Sequence, residues 1–310
     1  MDVMKKTKDT KQNRLGNRYS ASLLIIAGIF LFGISGLMWW SRIYQDPERV
    51  FRGMLANSLS TPSVTRSITQ SAQGNELEQH IELSLGTQNR SHAVSILRQN
   101  SGDAETKVTT ESIGTTESDY TRYVKIETDQ KNAEGEPLDF SEILRIWGKN
   151  DAQNAEAGAA ARYFNEALLG VVPFASLSPA DRQSLIQFMQ DRGVFEVNYD
   201  DAERRQENRR STYIYDVTIR PQTYVAMLQT FTKMLGLESI DGLQQENYEG
   251  VPPLEVEMSV DAVSRQLTSI RYKANGRQER YSGHGARKEI TIPQETIPVA
   301  ELQNRLQAIR

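Results

Sequence analysis

His80, His92 and His284 are the only histidines in this 310-residue chain, and they are scattered along it. His80 lies two residues from both Glu78 and Glu82, so an extended strand brings the three to one face. Imidazole and carboxylate are the donor types a divalent cation takes, and we weighed a metal there. A solvated strand face explains the same spacing, and we read it so. His284 stands between Gly283 and Gly285, which reads as a hairpin turn rather than a phosphate cradle. Asp200 and Asp201 offer adjacent carboxylates, but they abut the arginine-rich "ERRQENRR", whose guanidinium groups can pair with them. The chain has no SxxK, HExxH, Walker loop or dinucleotide fingerprint, and no GxSxG beyond residue 41. Asn89 opens an "NRS" sequon, which matters only in a host that glycosylates. We expect no catalytic residue, no metal, no cofactor and no enzyme.

What positions these residues begins with "SASLLIIAGIFLFGISGLMWWSR". From Ala21 to Trp40 there are 20 consecutive residues without a charge. At about 1.5 Å per residue a helix of that length spans roughly 30 Å, the thickness of a hydrocarbon core. A secretory leader has a shorter apolar stretch and ends at small residues. Here the run ends in Met38, Trp39 and Trp40, and indole rings suit the membrane interface. The chain has no cysteine, so neither a disulfide nor a lipidated cysteine is available. Residues 1–20 carry six basic side chains against Asp2 and Asp9, a net charge of +4. Positive flanks stay inside, so we expect a short cytoplasmic tail at 1–20, an uncleaved signal anchor at 21–41 and an extracytoplasmic domain at 42–310. Residues 21–310 carry a net charge of −8, which disfavours nucleic acid as a partner.

In the outer part, Asp46 and Pro47 mark a helix start, with Val50, Phe51, Met54, Leu55 and Leu59 on one face. Period two follows: "NELEQHIELSLG" sets Leu77, Ile81, Leu83 and Leu85 against Glu78, His80, Glu82 and Ser84. Residues 62–128 read as a meander of about four or five antiparallel strands. "LDFSEILRIWGK" and "AEAGAAARYFNEALLG" read as helical. "SPADRQSLIQFMQDRG" is the clearest helix, with Ser178 as cap, Pro179 at its first turn and Gly193 as its stop. Its buried face should be Leu185, Ile186, Phe188 and Met189. The uncharged "ALLGVVPFASL" is either a buried connector or a hydrophobic lip near the bilayer. Beyond Gly193, "VFEVNYD" and "STYIYDVTI" alternate across the charged loop, and "PQTYVAMLQTFTKMLG" makes a helix. "PLEVEMSVD", "RQLTSIRYKANG", "RQERYSGHG" and "KEITIP" supply strands, and "VAELQNRLQAI" closes the chain as a helix. The order predicts an α+β fold.

"LEVEMSVDAVSRQLTSIRYKANGRQERYSGHGARKEITIP" resembles the closing strands of the LolA-like lipoprotein-carrier fold and its LppX/LprG relatives. The resemblance implies a strongly curved antiparallel sheet, an unclosed half-barrel with helices on its concave face and an apolar cavity for acyl chains. It also brings forward Phe188, Met189, Tyr224, Met227, Leu228 and Phe231 as ligand-lining candidates, methionine and flat rings being adaptable pocket walls. The same side chains serve equally as core. Two functions follow: a membrane-anchored, non-enzymatic domain that binds a lipid or other apolar ligand, or an envelope protein-interaction or sensing module with a filled core. A continuous void of about 300 Å³ or more favours the first.

Overall fold

Threonine, valine and isoleucine alternating with polar residues make five successive strands. They are β1 (Ser63–Ala72), β2 (Asn75–Ser84), β3 (Arg90–Ser101), β4 (Ala104–Thr115) and β5 (Ser118–Thr128). The structure, a computed structural model, describes residues 45–86, 88–101, 104–151, 162–207, 210–237, 244–286 and 289–309. The apolar run Ala21–Trp40 lies outside these, and no helix among the described residues is long and apolar enough to cross a membrane. The chain divides into two compact units, Met1–Val50 and Phe51–Arg310. In the first, Asp46 accepts a hydrogen bond from the Arg49 N–H at 3.0 Å, the expected cap at the start of α1 (Pro47–Ser58).

In the second unit the meander is antiparallel throughout. Gln73 and Gly74 join β1 to β2 at φ 50° and 82°, the paired left-handed residues that a twisted two-residue hairpin demands. Beyond β5 comes β6 (Gly148–Asp151), then β13 (Ile297–Pro298) at that edge. On the other side β1 pairs with β12 (Gln278–Ser282), followed by β11 (Leu267–Tyr272), β10 (Leu254–Asp261) and β9 (Arg210–Ile219). Both β7 (Phe195–Val197) and β8 (Glu203–Glu207) pair with β9. The 13 strands form one sheet whose ends, β13 and β7, do not meet. The fold is α+β and the sheet unclosed, but it is mixed rather than wholly antiparallel, because β13 runs parallel to β6.

The helices are α2 (Arg162–Leu168), α3 (Pro179–Asp191), α4 (Pro221–Met234) and α5 (Val299–Ile309). Ser178 caps α3 by accepting from the Asp181 N–H, and Gly193 leaves it at φ 57°. Leu185 and Met189 are buried on α3, whereas Ile186 and Phe188 are only half-buried. The Phe51 ring meets Phe195, Tyr199 and Tyr215 edge-on, at 5.2–6.2 Å between centroids, where α1 packs on the β7–β9 side. "ALLGVVPFASL" is a buried connector: Ala175 and Leu177 donate backbone hydrogen bonds to Ser58 and Leu59, and Phe174 stacks on Tyr281.

Three local expectations change. Residues 139–147 form turns, not a helix, because Leu144 bridges to Tyr123 on β5 and Arg145 takes φ 67°; pairing with the sheet overrides helical spacing. The charged "ERRQE" is strand β8 rather than loop, since its backbone completes a hairpin with β9 while the side chains of residues 203–206 stay in water. Residues 289–293 of "KEITIP" are not strand; the strand β13 falls at Ile297–Pro298 instead.

Candidate functional site

Strands have two faces, and one face of β1–β5 carries small side chains at its centre, on β3 and β4. The registers align three rows across it. The first is Arg66, Ile81, Ala93, Ser112 and Thr121. The second is Ile68, Gln79, Ser95, Thr110 and Tyr123, and the third is Leu77, Leu97, Val108 and Ile126. A bulge between Thr109 and Thr110 keeps the third row on the same face of β5. All of these residues line a cavity of about 830 Å³. Alanine, serine and threonine in the central strands leave the space that a core of leucine and valine would fill.

Two helices bound the void. Tyr163, Ala167 and Leu169, in and just beyond α2, line it next to the first row. The buried carboxylate of Asp119 on β5 accepts from the Tyr163 N–H at 3.1 and 3.2 Å and fixes the start of that helix. Gly114 permits the close approach, since a Cβ there would stand 2.3 Å from the Phe164 nitrogen. On α5, Val299, Leu302 and Leu306 fall at i, i+3 and i+7 and present one apolar stripe to the cavity. Gly148 on β6 lets this helix seat, with the Leu302 side chain 3.0 Å from where its Cβ would be.

At the joint of β1 and β12 the wall becomes charged. Glu279 is fully buried (0 % exposed), as is Arg66 but for 4 %. Arg277 reaches the Glu279 Oε1 through Nε at 2.9 Å and Nη2 at 2.7 Å, and lies over the Tyr272 ring. The hydroxyls of Tyr272 and Tyr281 donate to the same carboxylate. Arg66 is 4.0 Å from Oε2 and donates long hydrogen bonds to the Leu169 and Glu166 carbonyls, at 3.3 and 3.4 Å. Burial pushes the Glu279 carboxyl up. Arg66, the Tyr281 hydroxyl, Arg277 and the Tyr272 hydroxyl together outweigh it and hold the group below the ordinary glutamate value, so it is ionised at neutral pH. Both arginines line the cavity.

The six residues singled out from the sequence lie elsewhere. Met189 is buried on α3, and Met227, Leu228 and Phe231 are buried on α4, which packs against α3. Phe188 stands half-buried beneath the Arg192 guanidinium, beside a surface groove of about 220 Å³. The Tyr224 hydroxyl donates to the Gly170 carbonyl. None of the six lines the large cavity. Two of the histidines share a neighbour: His80 and His92 stand 3.9 and 3.8 Å from the Glu82 carboxylate, while His80 also hydrogen-bonds Ser67, His92 meets Glu111 at 2.8 Å, and His284 meets the Leu267 carbonyl. Among the described residues no three His, Asp or Glu side chains gather in a way that could hold a metal. Asp201 accepts from Asn198 within its own turn.

No family model matches the chain, and no curated protein does. Eight solved chains match its structure. One is LprF from Mycobacterium bovis, at a TM-score of 0.38 and 12% identity, over 82% of this chain and 97% of that one. The likeness is one of structure alone.

Proposed function

We propose that this chain is a membrane-anchored, extracytoplasmic binding protein, not an enzyme, that holds a lipid or other apolar ligand in the β1–β5 cavity. In this reading residues 21–41 are the anchor, residues 1–20 stay in the cytoplasm, and the β1–β5 face is the concave side of a curved sheet. The observation that carries it is the void itself: about 830 Å³ is well above the roughly 300 Å³ of the smallest ligand sites and within their usual range. A folded chain closes empty apolar space unless something offsets the lost contacts. Here Ala93 and Ser95 on β3 lie beside Ser112 and Thr110 on β4, so the space is built into the sheet.

Native mass spectrometry of the full chain, extracted in mild detergent, tests this. A discrete added mass released by organic solvent is expected, and Ala93→Phe together with Ser95→Phe should abolish it while the protein stays folded. A chain that never carries added mass and binds no fluorescent fatty acid after delipidation would overturn the reading, leaving an envelope protein-interaction module.

A further inference from the structure

Arg66 is the charge in the cavity wall that its surroundings compensate least. Glu279 brings one negative charge to two guanidinium groups. Arg277 makes the short contacts with it, through two nitrogens within 2.9 Å, whereas Arg66 stands 4.0 Å off and has no hydrogen bond to the carboxylate. The remaining contacts of Arg66 are hydrogen bonds of 3.3 and 3.4 Å to neutral carbonyls, and its Nε is buried without a hydrogen-bond partner among the described residues. A buried guanidinium is costly unless paired at short range. The Glu166 side chain also stands in this wall, but it is exposed and gives Arg66 its carbonyl rather than its carboxylate. Charge compensation for Arg66 is therefore incomplete on its own side, and the cavity is the open side from which the rest can come.

The wall is graded in the same sense. The row of Arg66 continues through Ile81, Ala93, Ser112 and Thr121, and the row of Leu77, Leu97, Val108 and Ile126 is wholly apolar. On β3 these rows are four residues apart, about 14 Å at about 3.4 Å per residue. The stripe of α5 borders the same cavity from the side, with Leu302 seated on Gly148, the β6 partner of Thr121. We propose that the ligand is an anionic amphiphile, with carboxylate or phosphate oxygens seated at Arg66 and its hydrocarbon lying across the apolar row. The inference rests on the cavity being a ligand site, and adds to it the head-group chemistry and the direction in which the molecule lies. Arg277, already neutralised by Glu279, frames the site rather than supplying its charge.

Binding of oleate, oleoyl lysophosphatidate and oleyl alcohol to the delipidated full chain in amphipol separates these claims. Both anions should bind at least about tenfold more tightly than the alcohol, the scale of one charge-assisted hydrogen bond. Their ratio identifies carboxylate or phosphate as the preferred head. Arg66→Met should bring the anions to within about threefold of the alcohol. If that variant does not fold, Arg66→Met with Glu279→Gln removes both charges of the pair, and the same loss of preference is expected. Equal binding of anions and alcohol overturns the head-group assignment while the apolar-ligand reading stands. Retained preference in the Arg66 variants overturns the role of Arg66, and no binding of any of the three removes the ligand site itself. Millimolar inorganic phosphate should not displace oleate; displacement would assign the site to a free anion and overturn the amphiphile.

Discussion

Phe231→Ala and Ala93→Phe make opposite changes at two places, and together they decide where a ligand lies. Phe231 is fully buried on α4 and does not border the cavity. Burying a phenylalanine contributes about 1.5–3 kcal/mol by transfer from water. A residual hole of some 80 Å³, at about 24 cal/mol per Å³, adds about 2 kcal/mol. Phe231→Ala should therefore cost about 3–5 kcal/mol. With a urea m-value of about 3 kcal/mol/M, the midpoint falls by roughly 1–1.7 M. Ala93 is half-buried and faces the open space, so a ring there displaces no packed neighbour. Its stability should change by less than about 1 kcal/mol, while oleate binding is lost. Urea melts followed by tryptophan emission give the first quantity, and titration with a fluorescent fatty acid gives the second. The reasoning fails if Phe231→Ala costs under about 1 kcal/mol, or if it alters fatty-acid affinity in protein that remains folded. Either result would move the ligand to the helices.

Gly114→Ala should destabilise the protein by about 1–3 kcal/mol, because its Cβ would sit 2.3 Å from the Phe164 backbone nitrogen; urea melts and fatty-acid titration should show both stability and binding reduced. Glu279 has a folded pKa below its unfolded value near 4.5, so its contribution is present above that pH and is lost as pH falls through the folded value. Glu279→Gln should thus melt lower than wild type at pH 7, by about 3–5 kcal/mol for a broken buried pair, and its thermal stability should depend less on pH in the acid range. Protease added to intact spheroplasts should digest residues 42–310, and purified protein should keep its own N-terminus; a mature chain beginning near residue 41 would refute the anchor.

Where local chemistry decides, the sequence was readable. Ser178, Pro179 and Gly193 announce α3 because cap and stop each satisfy their own backbone groups. The alternation around Leu77–Leu85 announces β2 because a strand side chain has only two directions to point. The cavity was not readable from the helices, where methionine and aromatic residues serve core packing just as well. Its signal was a deficit of volume: Ala93 and Ser95 on β3 are aligned with Thr110 and Ser112 on β4, and only the register reveals that the small residues are neighbours. The Arg66–Glu279 pair was hidden for a related reason. A glutamate in "RQERYS" looks like any surface acid until β12 is laid against β1. Leu144 belongs with these, since its bridge to Tyr123 is a long-range contact that helical spacing cannot anticipate.

The joint between β1 and β12 also sets the order in which this protein can be made. Arg66 and Glu279 are 213 residues apart in the chain, so at about 5–20 residues per second a ribosome delivers the partner roughly 10–40 s after the arginine. Throughout that interval β1 has β2 on one side and an open edge on the other, and its arginine lacks the carboxylate it will be buried with. Five strands can pair locally as they emerge, but none of them can settle as native until the C-terminal third arrives. A delay in that stretch exposes a ten-residue strand edge to other chains, the condition under which sheets join the wrong molecule. Codon pace across the last third therefore bears on yield as directly as any residue in the core.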